Sequence, residues 1–244
     1  MAWHLGIIEV GVIPELPLSI YLPDAPPEQT LDVPCYCYLV TDGNVCLLVD
    51  TGADPDLAAH GGLAIREGGA RALGAALATE RIAAVDIAAI LHTHLHYDHV
   101  ENDLLFLRAE VFVQRRELEW ARSPDAGPFY VGVEELVDEL GPRLTILEGE
   151  LELMPGIRLV QSGGHTPGHQ SIVVRTAEQD VCLCGDIVPM RANLDVLGSG
   201  TPDVEATRAF LARARAAGWT MIPSHDPELR GHRWRVPALE GAAG

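Results

Sequence analysis

Between His94 and His99 the chain sets three imidazoles and a carboxylate almost side by side, in the run Thr93-His94-Leu95-His96-Tyr97-Asp98-His99. Nitrogen and oxygen donors of this kind suit borderline divalent cations, zinc among them. The apolar run Ile87-Ala88-Ala89-Ile90-Leu91 leads directly into the cluster. A compact loop there can aim several donors at one point, and burying four such groups without a partner would be costly. That placement argues against a merely solvated histidine cluster. Further donors stand at the ends of other apolar runs. His165 lies in Gly163-Gly164-His165-Thr166-Pro167-Gly168-His169, Asp186 follows VCLCG, and His225 follows WTMIPS. One strand-end histidine carries little meaning, but three donors at three separate strand ends point to an assembled metal site.

The elements that must position these donors follow from hydrophobic periodicity and turn residues. Residues 3–13 read as a strand, and 14–34, rich in proline and acidic residues, as an ordered surface loop. A hairpin comes next, PCYCYLV and VCLLVD joined at Asp42-Gly43-Asn44. Residues 55–80, rich in alanine and glycine, read as mostly helical. Strands are expected at 86–91 and 110–113, a helix at 115–122, and loop with helix over 123–142. Short strands follow at 143–147, 150–153, 157–161, 170–176 and 180–184, then a helix near 203–217 and a strand at 219–222. Each half has a strand-rich block followed by helices, which predicts two sheets packed face to face with helices outside. No repeat, low-complexity stretch or linker divides the chain, so one domain over 1–244 is expected.

Composition narrows the partners. The chain has 244 residues, 48% of them hydrophobic, enough for a full core. A net charge of −18 disfavours nucleic-acid binding, which needs a basic face. No uncharged apolar run is long enough to span a membrane. The opening MAWHLGIIEVGVIPELP lacks a basic start and a small-residue cleavage site, so no secretory leader is expected. The five cysteines, Cys35, Cys37, Cys46, Cys182 and Cys184, are an odd number and fit free thiols in a reducing, cytoplasmic setting. Cys35/Cys37 and Cys182/Cys184 are each two apart, sharing a strand face, and are expected to be buried core thiols. His92 and His169 are expected to support or pack, and His4, His60 and His232 to be ordinary. Trp3, Trp120, Trp219 and Trp234 are expected to serve core and rim packing.

The motif His94-x-His96-x-Asp98-His99, followed by His165, Asp186 and His225, resembles the metallo-β-lactamase superfamily over roughly residues 34–230. The resemblance implies an αββα sandwich, two mixed β-sheets with helices on the outer faces and a two-metal site at one edge. It implies that His94, His96 and His165 bind a first metal and Asp98, His99 and His225 a second, with Asp186 bridging. Asp50, in Val49-Asp50-Thr51-Gly52, matches a family aspartate that orients a metal-bound histidine, a role such sites need. Within the superfamily VPCYCYLV, LLVDTGADP, THLHYDHVENDLLF, FVQRRELEWA, GGHTPGHQSIVV and PSHDPEL are similar to N-acyl homoserine lactonases. The chain departs from that group in two places. Val100-Glu101-Asn102-Asp103 stands where Gly-Gly-Asn is common, and Pro189 stands where many members carry a tyrosine that contacts the substrate carbonyl.

The resemblance therefore implies a two-zinc hydrolase, other divalent metals being possible, that opens a lactone or another small-molecule ester. In that chemistry Asp98 or a metal-bound water returns the proton to the leaving oxygen. No serine nucleophile is called for, and no Gly-x-Ser-x-Gly elbow is present. Thioester hydrolysis, as in glyoxalase II-like proteins, and one-iron persulfide dioxygenase chemistry are the alternatives. A homodimer is allowed for. With Pro189 in the tyrosine's place the chain must rely on the metal alone, recruit another donor such as Tyr97, which is expected to point away, or act on a different substrate; acyl homoserine lactones are expected to be slower substrates than some other lactone or ester.

Overall fold

The structure is a computed structural model that describes residues 2–231. Its first sheet has six strands in sequence order: β1 (His4–Pro17), β2 (Thr30–Thr41), β3 (Cys46–Val49), β4 (Ile87–Leu91), β5 (Glu110–Gln114) and β6 (Leu144–Leu147). β1, β2 and β3 pair antiparallel; β3 to β6 run parallel. The second sheet has five strands: β7 (Leu151–Met154), β8 (Ile157–Gln161), β9 (Gln170–Arg175), β10 (Asp180–Leu183) and β11 (Thr220–Ile222). It is antiparallel except for the β10/β11 pair. Both sheets are thus mixed, as the resemblance implies.

Strand alternation builds the layers. On β2, Tyr36, Tyr38 and Val40 face the second sheet, while Cys37 and Leu39 face the outer helix layer. Tyr38, Val49 and Leu91 meet Leu159, Ile172 and Leu183 in the inter-sheet core, and Trp3 closes one side of it. Outside the first sheet lies α2 (Gly69–Thr79), whose Leu73 and Leu77, one helical turn apart, pack on Leu39, Leu48, Ile90 and Val111. Outside the second sheet, and following α5 (Val133–Leu140) in the chain, lies α6 (Val204–Ala216), whose Phe210, Leu211 and Ala214 cover Val160, Val173 and Cys182. Burying each such leucine or phenylalanine contributes about 1.5–3 kcal/mol. The helix starts are set by local chemistry. Asp54 accepts from Asp56 N and Leu57 N ahead of α1 (Pro55–His60), and Asp203 accepts from Ala206 N ahead of α6.

Two expectations change. The segment 14–34 is not a loop throughout: β1 runs on to Pro17 and β2 begins at Thr30, leaving a short connection that includes a single turn at Leu18–Ile20. Proline escaped its usual role as a strand breaker because β1 is an edge strand with two register shifts, where a missing N–H is tolerated. The helical region 55–80 is also broken. Residues 61–68 form a loop in which Arg66 pairs with Val12 through reciprocal backbone bonds of 2.8 Å. His232 and Trp234 lie outside the described residues. Among the described residues no helix is long and apolar enough to cross a membrane.

Topology then gathers the site. β3/β4 and β10/β11 are parallel pairs, so the chain leaves each pair at one edge. Asp50 follows β3, the histidine run follows β4, Asp186 follows β10 and His225 follows β11. Close approach of backbone fixes the fifth segment. Gly168 lies so near α4 (Arg115–Ala121) that a Cβ on it would sit 2.0 Å from Glu117 N. Gly168→Ala should therefore lower stability by about 1–3 kcal/mol or more through overpacking, visible as a reduced Tm, and should displace the neighbouring His165 loop.

Candidate metal centre

The loop after β4 and the single turn of α3 (Tyr97–Val100) carry His94, His96, Asp98 and His99. Backbone bonds clamp this turn to the strand-end loop of Asp50: Thr51 N donates to His99 O at 2.7 Å and Glu101 N to Gly52 O at 3.2 Å. His165 comes from the loop between β8 and β9, Asp186 from the end of β10, and His225 from the end of β11. All seven side chains singled out in the sequence meet at one place.

Asp186 lies at its centre. Its Oδ2 is 3.5 Å from His165 Nε2 and 4.0 Å from His94 Nε2. Its Oδ1 is 3.3 Å from His99 Nε2 and 3.0 Å from His225 Nε2. Asp98 Oδ2 stands 3.6 Å from His99 Nε2 and 3.5 Å from His225 Nε2. His165 Nε2 is 3.2 Å from His96 Nδ1. Ligand atoms of His94, His96 and His165 lie within 4.8 Å of one another, as do those of His94, His99 and Asp186.

Hydrogen bonds on the far side of each ring decide which nitrogen faces inward. His225 Nδ1 meets Pro34 O at 2.8 Å and His165 Nδ1 meets Gly200 O at 3.2 Å, so both Nε2 lone pairs face the centre. His99 Nδ1 donates to Asp50 Oδ2 at 2.8 Å. Thr93 Oγ1 donates to the same oxygen at 2.8 Å and accepts from His94 Nδ1 at 3.0 Å. His94 Nε2 and His99 Nε2 are left buried with no hydrogen-bond partner. Buried lone pairs without partners are expensive. A cation among them satisfies both nitrogens at once, and the donor set of neutral imidazoles and carboxylates fits divalent zinc-like ions.

The electrostatics agree. Burial and neighbouring imidazoles hold His94 and His96 well below the ordinary histidine range, so both are neutral and free to ligate. Burial opposes charge on His99 and His225 too, but the Asp98 and Asp186 carboxylates override it and draw protons onto them. A cation would compete for those same carboxylates and displace the protons, which couples its binding to pH.

Supporting groups were partly foreseen. Asp50 is buried, at a left-handed φ of 58°, and holds Thr93 N at 2.8 Å besides Thr93 Oγ1 and His99. His92, expected to support, lies between Asp50 at 3.4 Å and Asp103 at 2.8 Å. Burial works against its charge, yet Asp103 and Asp50 push it up to about 9. His169, also expected to support, accepts from Asp186 N at 3.1 Å while Ser162 Oγ lies 2.6 Å from its Nδ1. Ser224 Oγ donates to Asp186 Oδ1 at 2.6 Å.

Sequence reasoning passed over Glu117. This buried carboxylate accepts from Leu95 N at 3.1 Å, Tyr130 Oη at 2.9 Å, Thr166 Oγ1 at 2.5 Å and Gly168 N at 3.2 Å. It ties the loops of His94/His96 and His165 to α4. The only sequence signal is an acid among residues otherwise alternating between helix faces. Tyr21 was also underread. Tyr36, Tyr38 and Tyr130 spend their hydroxyls on Asp226 O, Pro223 O and Glu117. Tyr21 and Tyr97 are both buried, and among the described residues neither hydroxyl has a hydrogen-bond partner. Burial raises the phenol of Tyr21 well above its usual range, and the Asp186 and Asp98 charges add to that. Beside His96 and His165 opens a cavity of about 520 Å³, walled by Trp120, Phe129 and Tyr130 with Arg116 among its lining.

Residues 30–225 match the family model of the metallo-beta-lactamase superfamily. An N-acyl homoserine lactonase from a Bacillus species is 32% identical over 171 residues, covering 64% of this chain and 64% of that protein. The chain thus spans 64% of the length of that curated relative. A crystal structure of an N-acyl homoserine lactone hydrolase, with N-hexanoyl-L-homoserine bound at its catalytic metal centre, superposes with a TM-score of 0.79 at 24% identity, over 94% of this chain and 96% of that one. The dizinc quorum-quenching lactonase AidC superposes at 0.72 with 20% identity, over 92% and 88% of the two chains.

The bond from Thr93 Oγ1 to His94 Nδ1 predicts a measurable loss. Thr93→Val keeps the shape but removes the hydroxyl, so metal affinity should fall about 10–100-fold, as typically follows loss of such outer partners. Competition with a fluorescent chelator reads the affinity, and circular dichroism should show the fold retained.

Proposed function

The chain belongs to the metallo-beta-lactamase superfamily, and from that premise we propose that it is a two-zinc hydrolase that opens a lactone ring. The observation that supports this most is the Asp186 carboxylate, one oxygen turned to His94 and His165 and the other to His99 and His225. A carboxylate so divided suits two adjacent cations. His94, His96 and His165 would hold the first, Asp98, His99 and His225 the second, and Asp186 would bridge them. Such a pair of cations would supply polarisation of an ester carbonyl and a bound water of pKa about 7.

The chain's own groups do the rest. Asp98 Oδ2 faces the histidines of the second position and is the carboxylate placed to hand a proton to the departing ring oxygen. The cavity beside His96 and His165 offers Trp120, Phe129 and Tyr130 to an acyl chain. Pro189 contributes no side-chain donor, and its carbonyl accepts from His225 N at 2.8 Å. Tyr21 would be the phenol to serve instead: it packs with Val33 and Met190, and Asp186 and Asp98 both act on its hydroxyl. The lactonase relatives support a lactone over a thioester.

Two measurements check this reading. The purified protein should hold two zinc ions per chain and release one proton per ring opened, read with a pH indicator, on short- and long-chain acyl homoserine lactones and simple γ- and δ-lactones. Asp186→Asn should lose metal and turnover by orders of magnitude. One iron per chain with oxygen uptake on a persulfide, or turnover of a thioester alone, would replace the lactonase reading. Separately, Tyr21→Phe should lower kcat on an acyl homoserine lactone by about 10²-fold, the size typical of losing one carbonyl donor, with metal content unchanged; Tyr97→Phe should change it far less.

A further inference from the structure

Cys35 is fully buried but stands outside the apolar cluster in which its strand partner Cys37 packs. Cys37 packs in the layer between the first sheet and α2. Cys35, two residues earlier on the same face of β2, reaches past that layer to the edge where α3 carries Asp98. Its Sγ, a carboxylate oxygen of Asp98 and a ring nitrogen of His225 all lie within 4.8 Å of one another. The backbone helps fix this arrangement, because Pro34 O, on the residue before Cys35, accepts from His225 Nδ1 at 2.8 Å. Thiol hydrogen bonds elsewhere are made by Cys46 and by the Cys182/Cys184 pair. The Cys35 thiol is fully buried and, among the described residues, has no hydrogen-bond partner.

Independently, His99 Nε2 is buried without a hydrogen-bond partner, 3.3 Å from Asp186 Oδ1 and 3.6 Å from the same Asp98 carboxylate. Two histidine nitrogens, a carboxylate and a sulfur therefore converge on one small volume. With bond lengths of about 2.3 Å for sulfur and 2.0–2.1 Å for nitrogen and oxygen, ligand atoms around one tetrahedral zinc-like ion stand about 3.3–3.6 Å apart. Donors within 4.8 Å of one another would draw together to reach that spacing on binding an ion.

We propose that Cys35 is a thiolate ligand of the second cation position, completing a Cys35–Asp98–His225 face beside His99 and the shared Asp186. The inference rests on the two-cation reading above and adds to it a sulfur donor. Binding breaks the S–H bond, forms a sulfur–metal bond and releases the proton to solvent. Thiolate is a soft ligand, so the second position selects zinc, cobalt or cadmium over magnesium or manganese. Together with Asp98 and Asp186 it places three anionic groups around that position. The second ion would then be the weaker Lewis acid, leaving carbonyl polarisation to the first, which His94, His96 and His165 would hold with the shared Asp186.

Cobalt substitution tests this without relying on turnover. The full-length protein, stripped of metal and reloaded with two equivalents of Co(II), should show the intense near-ultraviolet absorption of thiolate-to-cobalt charge transfer. Cys35→Val should abolish that band while keeping the visible cobalt bands of the remaining nitrogen and oxygen ligands. Cys35→Ala, which leaves more room, serves if the valine variant does not fold, and Cys37→Val should leave the band intact. Two bound cobalt ions without a charge-transfer band, or a band that survives both Cys35 variants, overturns the assignment and leaves the two-cation reading standing. Failure of the wild-type protein to take up cobalt at all overturns both.

Discussion

The buried carboxylate of Asp50 is the constraint on which the rest of the site depends. It accepts from a backbone N–H, a hydroxyl and an imidazole within 2.8 Å, all out of reach of water. Burial opposes its charge, but His99 and His92 beside it hold its pKa well below the usual carboxylate range. An anion kept in such a place must have each of its donors in position. That requirement joins the end of β3 to the end of β4 and to α3. It also sets the inward nitrogen of His99 directly, and of His94 through Thr93.

Glu117 plays the matching part on the other flank. Its four donors come from 95, 130, 166 and 168, so one carboxylate holds two loops that bear histidines against a helix. Gly168 is required there because nothing larger than a hydrogen fits against α4. At the base of the second sheet Gly185, at φ 61°, turns the chain so that Asp186 points inward, and a Cβ on it would lie 2.6 Å from His169 Nε2. Small residues and buried acids thus do for the loops what hydrophobic packing does for the strands.

The parallel pairs β3/β4 and β10/β11 explain why the donors meet. Each pair delivers its exits to one edge, and stacking the two sheets brings those edges together. The inter-sheet core of Tyr38, Leu91, Leu159 and Leu183 is therefore coupled to the site, since it sets the distance between the His94 loop and Asp186. The edge also carries an apolar cavity, so a rigid donor cluster lies next to a surface able to take an acyl chain.

Much of this was legible in the chain itself. Strands such as Ile87–Leu91 and helices such as Val204–Ala216 follow from local periodicity, and the seven donors stand out because four cluster within six residues and three more stand at separate strand ends. The fold class followed from the order of elements and the resemblance those donors carry. What the sequence could not show is any group whose role depends on what lies opposite it. Glu117 reads as one more acid on a helix, Tyr21 as part of a proline-rich surface stretch, and Cys35 as the twin of Cys37. Alternation puts Cys35 and Cys37 on one face, but only the packed sheet decides that one meets leucines and the other meets Asp98 and His225. Local sequence fixes torsions and faces over a few residues; the partners of a buried polar group come from segments tens of residues away, or as far as the 191 between Pro34 and His225, and only tertiary packing chooses them.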